Sequence, residues 1–309
     1  ESKNRHALRA RLCFQLEGTL KCLVEPVQSA VDLFPDLYNS AMLSGLTEIA
    51  LHCRRLYCNG IFYTGKGPLT TCTKHLVKCI KQSAKYQLNV NVYATMSAFL
   101  ACTFLTGESA FDFEILSFEE LEAIAENTNN ALLQWQIFLD RMLQYFYMGN
   151  YVAVCELSEK RPHTQHKRIT EVVRTFMEGI ASLNLARRTR EGKFKVMGEK
   201  SLEQMSKWSS LASKWNFQNM TELLQAELHY TNGNLEAAEN SYKSSIATAH
   251  ERKFIHEEAT ALELFSMFLV ENGEVDRGME QLEMAITRFT EWGADLKVKA
   301  LFPSMKRIT

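Results

Sequence analysis

The chain has 309 residues, and its 14 glycines and 5 prolines together make up about 6% of it, roughly half the usual share. β-rich folds spend glycine and proline on their many turns, so a sandwich, barrel or propeller is excluded and long uninterrupted helices are expected. The 35 basic and 36 acidic residues leave a net charge of -1, without the basic excess that a nucleic-acid or acidic-membrane surface requires.

Residues 1–11 are charged rather than apolar, so no secretory leader is expected, and a start at Glu1 reads as a piece of something longer. Apolar residues recurring at three and four predict helices over residues 37–63, 69–86 and 90–105. Between the first two lies Gly60-Ile-Phe-Tyr-Thr-Gly65-Lys66-Gly67. It matches a phosphate-binding P-loop up to its lysine, but the Ser or Thr that should hold magnesium is replaced by Gly67. A P-loop also needs a preceding strand, and a helical pattern precedes this one. The expectation is a helix end, with Phe62 and Tyr63 packed on a neighbour. Residues 88–107 form the longest run without a charge, but Thr95, Ser97 and Thr103 interrupt its apolar centre. That centre falls short of the roughly 20 apolar residues of a membrane span, so a buried core helix is expected.

Eight cysteines occur at 13, 22, 53, 58, 72, 79, 102 and 155, and none forms CxxC. Most sit beside apolar neighbours in helical patterns, where a free thiol behaves as a small hydrophobe. Cys72 and Cys79 share a helix face at core spacing. No Cys72, Cys79 or Cys155 setting suits nucleophilic catalysis, and a reducing, intracellular (cytoplasmic) location is expected. His163 and His166 are the only close histidine pair, and no cysteine lies near them to complete a zinc site.

Further helices are predicted over residues 118–127, 131–148, 151–159, 163–188 and 194–214, with irregular joints at 107–117 and 160–164. Glu119, Glu120, Glu122 and Glu126 make an acidic helix face, read as solvated rather than as a catalytic carboxylate pair. Two basic clusters follow. One comprises Arg161, His163, His166, Lys167 and Arg168, the other Arg187, Arg188, Arg190, Lys193 and Lys195. Both fall at helix ends, where cations complement the dipole, and either offers a contact for an acidic partner. Without interleaved aromatics, nucleic acid is not expected.

Toward the end, helices are predicted over residues 220–231, 235–252, 255–271 and 275–292. His256-Glu257-Glu258 starts like a zinc-protease motif, but Thr260 stands where the second histidine should be. The two acids read as first-turn residues facing the helix dipole. Trp208 and Trp292 are expected to anchor the core. Pro303 is expected to mark the end of the packed region.

Glycines at 65, 107, 149, 192, 233 and 273 are spaced 42, 42, 43, 41 and 40 apart. Each follows one helical pattern and precedes another, as a left-handed helix end would. The unit is therefore a helical hairpin repeating every 40–43 residues, and such hairpins bury their apolar stripes by stacking. Gly233-Asn-Leu-Glu-Ala-Ala-Glu-Asn-Ser-Tyr242 is similar to the centre of a tetratricopeptide repeat.

Residues 201–302 resemble the helical-repeat tail of large multidomain signalling kinases of bacteria, fungi and some algae. The resemblance rests on Trp208 and Trp215-Asn-Phe217, Leu224 to Leu228, Gly233, Ala237-Ala238, Tyr242, Ile246 and Ala249. It continues through Phe254-Ile-His-Glu-Glu-Ala259 and closes on Phe289-x-x-Trp292-Gly-Ala294-x-x-Lys297-Val298. Phe62, Gly65 and Gly67-Pro68-Leu69 extend it weakly to the first part. In that family the region lies between kinase-like and AAA-type ATPase domains on one side and GAF sensor and histidine kinase domains on the other. The resemblance implies a signalling context rather than an activity of these residues.

The fold expected is an all-α, tetratricopeptide-like superhelix of about seven helical hairpins, continuous over residues 1–309. Residues 1–116 would be degenerate first repeats, 117–218 middle repeats, 219–302 the best-matching repeats and 303–309 a linker. The expected role is a non-catalytic scaffold or regulatory region that binds a peptide or a neighbouring domain, with no catalytic residue, cofactor or metal. The alternative is a small-molecule sensor with a pocket between helices of the Cys- and Met-rich first half.

Overall fold

The computed structural model describes residues 23–109, 111–160, 162 and 169–308, the last six as backbone. Among these the chain forms fourteen α-helices and no strand. In order they are α1 (Val27–Leu43), α2 (Thr47–Thr64), α3 (Leu69–Lys85), α4 (Asn89–Thr106) and α5 (Phe118–Asn127). Then come α6 (Ala131–Tyr147), α7 (Tyr151–Glu159), α8 (Ile169–Thr189), α9 (Gly192–Leu211) and α10 (Lys214–Thr231). The last four are α11 (Leu235–Glu251), α12 (Ile255–Glu271), α13 (Val275–Trp292) and α14 (Asp295–Ile308).

Consecutive helices pack as pairs, as in an α-α solenoid. The even-numbered helices α2, α4, α6, α8, α10 and α12 also touch one another in sequence, forming one continuous inner layer. Burial follows this division. In α4, α8 and α12 buried residues occupy every face, as expected of a helix covered on all sides. In α11 and α13 the buried residues form a stripe, Ala238, Tyr242, Ser245 and Ala249 in one, Gly278, Leu282, Ala285 and Phe289 in the other. The uncharged run at 88–107 is thus an inner-layer helix, and among the described residues no helix is long and apolar enough to cross a membrane.

The repeat is written in the turns. Gly65, Gly107, Gly149, Gly233 and Gly273 all have φ between 64° and 87°. At Gly149, Gly233 and Gly273 the same pair of backbone bonds closes the helix: the glycine N–H reaches three residues back, and the next N–H reaches five. Gly192 departs from the pattern. It is the first residue of α9, and Arg190 takes the left-handed conformation instead (φ 59°). The alternate turns carry the same two bonds at Gly45, Gln87, Asn129, Lys253 and Gly293. Three of these are not glycine, so the half-period was invisible to a count of glycines.

Other expectations change with it. The helix predicted over 37–63 is two helices, because Gly45 (φ 76°) ends α1 and Leu46 N–H bonds the Ala41 carbonyl. The helix predicted over 194–214 stops at Leu211, where Ala212 leaves helical geometry and Ser213 caps α10 by accepting from Asn216 N–H. Helix α14 continues through Pro303 to Ile308, although its last described buried side chain is Leu301.

Candidate interaction site where the ends of the array meet

An open solenoid keeps its first and last units apart. Here α14 packs back on α4, and the turn after α2 lies against the start of α12. His256 Nε2 donates to the Tyr63 carbonyl at 3.1 Å, which fixes the tautomer. Gly65 is in the left-handed region, and a Cβ added to it would come within 2.4 Å of His256 Nδ1. Glycine is therefore required here twice over, by conformation and by close approach. Trp292 stacks on Phe62 with centroids 6.3 Å apart, lies 5.0 Å from Tyr147 and 5.3 Å from His256. These rings pack on one another where α2, α6, α12 and α13 meet.

Burial sets the chemistry of this junction. His256 is pushed down to about 4, since desolvation penalises the imidazolium more than its bond to the Tyr63 carbonyl supports it. Glu257 is pushed up to about 8 by desolvation, which outweighs its bond from Asn219. His256 Nδ1, Trp292 Nε1 and Asn219 Oδ1 are buried without a hydrogen-bond partner. The acids do stand in the first turn of α12 as expected, but both are buried. Glu258 binds Arg288 at 2.9 Å and His250 at 3.1 Å.

A second contact joins the segment before α1 to the repeats at α10–α12. Asn216 is 1% exposed. Its Oδ1 accepts from Val27 N–H at 2.9 Å and its Nδ2 donates to the Glu25 carbonyl at 2.8 Å. Gln28 Nε2 donates to the Arg252 carbonyl at 3.1 Å. Val27 seats beside Ala249 and Phe254. Next to this contact opens a cleft of about 730 Å³, lined among others by Pro26, Lys66, Trp215, Arg252 and Arg288.

The other singled-out residues have structural partners. Residues 60–67 are a helix end, not a strand-to-helix phosphate loop: Lys66 pairs with Asp32 and also donates to the Gln28 carbonyl. Cys53, Cys58, Cys72, Cys79, Cys102 and Cys155 are free and buried. Burial raises Cys53 to about 12 and pushes Cys155 up too, which disfavours the thiolate a nucleophile needs. Cys13 and Cys22 lie outside the described residues. Glu119 and Glu122 both hold Arg141 at 2.8 Å, while Glu120 completes a capping box with Ser117 and Glu126 is exposed.

Arg187 departs from the basic patch expected. It binds Glu227 at 2.6 Å and stacks over Tyr230 at 4.3 Å, so it ties α8 to α10, while Arg188 and Arg190 stay exposed. Lys193 pairs with Glu191, and Lys195 with Glu199. Arg161, His163, His166, Lys167 and Arg168 lie outside the described residues. Trp292 is an anchor at 1% exposure, whereas Trp208 is only half-buried. Among the described residues no group of three or more His, Cys, Asp or Glu is placed to hold a metal.

Sequence reasoning missed Asn216 and the closure itself. The Trp215-Asn-Phe217 stretch gave Asn216 no role of its own, and contacts between residues some 190 positions apart leave no periodic signal. No protein-family model matches the chain, and no curated protein matches it significantly.

Proposed function

We propose that the chain is a non-catalytic interaction or regulatory scaffold region of a multidomain signal-transduction protein, coupling ATPase, kinase and sensor modules outside it. The observation that supports this most is the closure. Among the described residues, α1 is tied to α10 and to the end of α11, and α14 is packed on α4. Modules attached at the two ends would be held in a fixed relation while the junction is shut, and released when it opens. A partner that prefers one state shifts the other modules by the difference in its affinity for the two. The signalling context rests on the resemblance of residues 201–302, and the buried free thiols fit a reducing compartment.

The test is deletion of residues 23–308 from the full-length polypeptide, with basal activity and stimulus response of the attached catalytic modules as readouts. Loss of coupling between stimulus and activity is expected. Unchanged activity and unchanged regulation would overturn the proposal.

The second reading, a small-molecule sensor, is supported by the cleft of about 730 Å³ between Pro26, Gly65 and Lys66 of the first half and Trp215, Arg252 and Arg288, and a smaller one of about 620 Å³ lies within the first half beside Thr73, Val77 and Phe111. The size of the larger cleft suits a small ligand. A melting shift of the chain with a metabolite, lost on Trp215→Ala, would favour it over the scaffold.

A further inference from the structure

The contact at Asn216 reads the proline cap and the first turn of α1 residue by residue, as a peptide is read. One carboxamide brackets Pro26. It accepts from the N–H on one side of the proline and donates to the carbonyl on the other. Pro26 itself has φ −54° and ψ 125°, polyproline-like geometry that costs little entropy to fix. Proline has no N–H, so every backbone polar group facing Asn216 at this step is matched. The next side chain, Val27, is 8% exposed and seats against Ala249 and Phe254. The next, Gln28, reads the carbonyl of Arg252. Arg252 in turn is fixed by the Lys214 and Trp215 carbonyls at 2.7 and 2.9 Å and lies over the Trp215 ring. Three successive residues are thus read by three features of the α10–α12 repeats.

We infer that α10–α12 form a binding site for peptides of the pattern x-Pro-apolar-Gln, and that Glu25-Pro26-Val27-Gln28 occupies it in cis as a displaceable internal ligand. Two observations make the occupant displaceable. Gln28 Oε1 and Arg252 Nε are both buried without a partner, so the internal ligand leaves an acceptor and a donor of its own seat unsatisfied. The cleft also runs on beside Pro26, so a longer ligand gains contacts that the internal segment does not make. The inference deepens the scaffold reading by naming the partner chemistry. Release of the segment unties the first turn of α1 from α10–α12, while the rest of α1 stays packed on α2.

The experiment uses the whole chain and a labelled, end-capped peptide of residues 23–30, Leu-Val-Glu-Pro-Val-Gln-Ser-Ala. A short tether holds the internal segment at millimolar effective concentration, so the wild-type chain should bind the free peptide weakly. V27D in the chain removes the apolar side chain that fills the Ala249–Phe254 seat, leaving the seat open, and places an acid at a helix N-terminus, where it is tolerated. This variant should bind the peptide at least about tenfold more tightly than wild type. Adding N216D, which keeps the size but loses the donor to the Glu25 carbonyl, should abolish that gain, as should V27D placed in the peptide. Absence of binding to a cooperatively melting V27D chain overturns the inference, as does equal affinity of wild type and V27D. If V27D fails to fold, amide exchange on wild type decides. Excess peptide should speed exchange at the start of α1 and leave α6 unchanged, and no change at α1 overturns the inference. None of these outcomes touches the deletion test, so failure here leaves the scaffold reading standing.

Discussion

Two buried polar clusters of this molecule are built to different standards. Within the array, Asp140 of α6 is fully buried and accepts from Ser97 at 2.8 Å, Gln136 at 2.9 Å and Tyr63 at 3.0 Å. Gln136 also donates to the Tyr63 hydroxyl and accepts from Asn59, and Asn59 Oδ1 is the one atom of the cluster without a partner. At the junction of the ends, His256, Trp292 and Asn219 each leave an atom unpartnered. A satisfied network rigidifies a core, while unsatisfied groups lower the stability of the contact that buries them. By this measure the helical pairs are the better-satisfied part of the fold, and the closure is the part with the smaller margin.

The largest break of this comparison is Trp292→Ala. It removes a ring that touches Phe62, Tyr147 and His256, and such truncations cost about 3–5 kcal/mol. Denaturant unfolding of the chain should show that loss, and an unchanged midpoint would place Trp292 outside the stabilising contacts. A finer cut compares two glycines in the same role. Gly107 (φ 75°) has nothing within 4 Å of an added Cβ, whereas Gly65 (φ 64°) has His256 Nδ1 at 2.4 Å. Gly107→Ala should cost about 1–2 kcal/mol from left-handed strain alone. Gly65→Ala should cost more, because it also forces the junction apart. Equal losses would mean that the closure contributes nothing to stability.

These two glycines also mark how far the sequence could be read. The 42-residue spacing of Gly65, Gly107 and Gly149 is a local chemical requirement, since one turn geometry recurs and glycine adopts it without strain. It exposed the repeat and the helical pairing. Gln87, Asn129 and Lys253 make the same turn without glycine, so half of the turns carried no such mark. The helix break at Gly45 was hidden because apolar periodicity continues across it. The junction was illegible for a different reason. Its partners come from α2, α6, α12 and α13, and no spacing rule relates residues that meet only when the array curls on itself. His256 and Glu257 were visible as a histidine–acid pair, but their burial, which decides their behaviour, is a tertiary property.

That burial makes the junction sensitive to pH with a definite sign. Glu257 titrates at an ordinary 4.5 when unfolded and at about 8 in the fold, so its favourable neutral state is fully present below 4.5 and is lost as pH rises toward 8. His256 runs the other way, from 6.5 down to about 4, so it weakens the fold only as pH falls below 6.5. Asp140, raised from 3.8 to about 6 by desolvation, has lost its contribution by pH 6.5. Between pH 6.5 and 8 Glu257 is therefore the group of the three that still titrates. Stability should fall there, by at most about 1.4 kcal/mol per pH unit. Glu257→Gln keeps the shape and the Asn219 contact but cannot ionise, so its unfolding free energy should be flat over that window. A wild-type profile already flat between pH 6.5 and 8 would show that Glu257 is solvated in the fold.

The smallest effect expected is at Lys66, the residue whose sequence surroundings looked most like a phosphate site. It pairs with Asp32, whose side chain is 65% exposed, and both are wet enough that the ion pair is screened. Exposed pairs contribute about 0–1 kcal/mol, so Lys66→Ala should shift the melting midpoint by a degree or two at most. The turn around it is shaped by Gly65 and Gly67 for a different task. It follows a helix, not a strand, and Gly65 lets α2 end within contact distance of His256. Nucleotide affinity of the chain should therefore be the same with lysine or alanine at 66. A large loss of affinity in the variant would restore the phosphate reading and move the functional centre of the molecule from Asn216 to this turn.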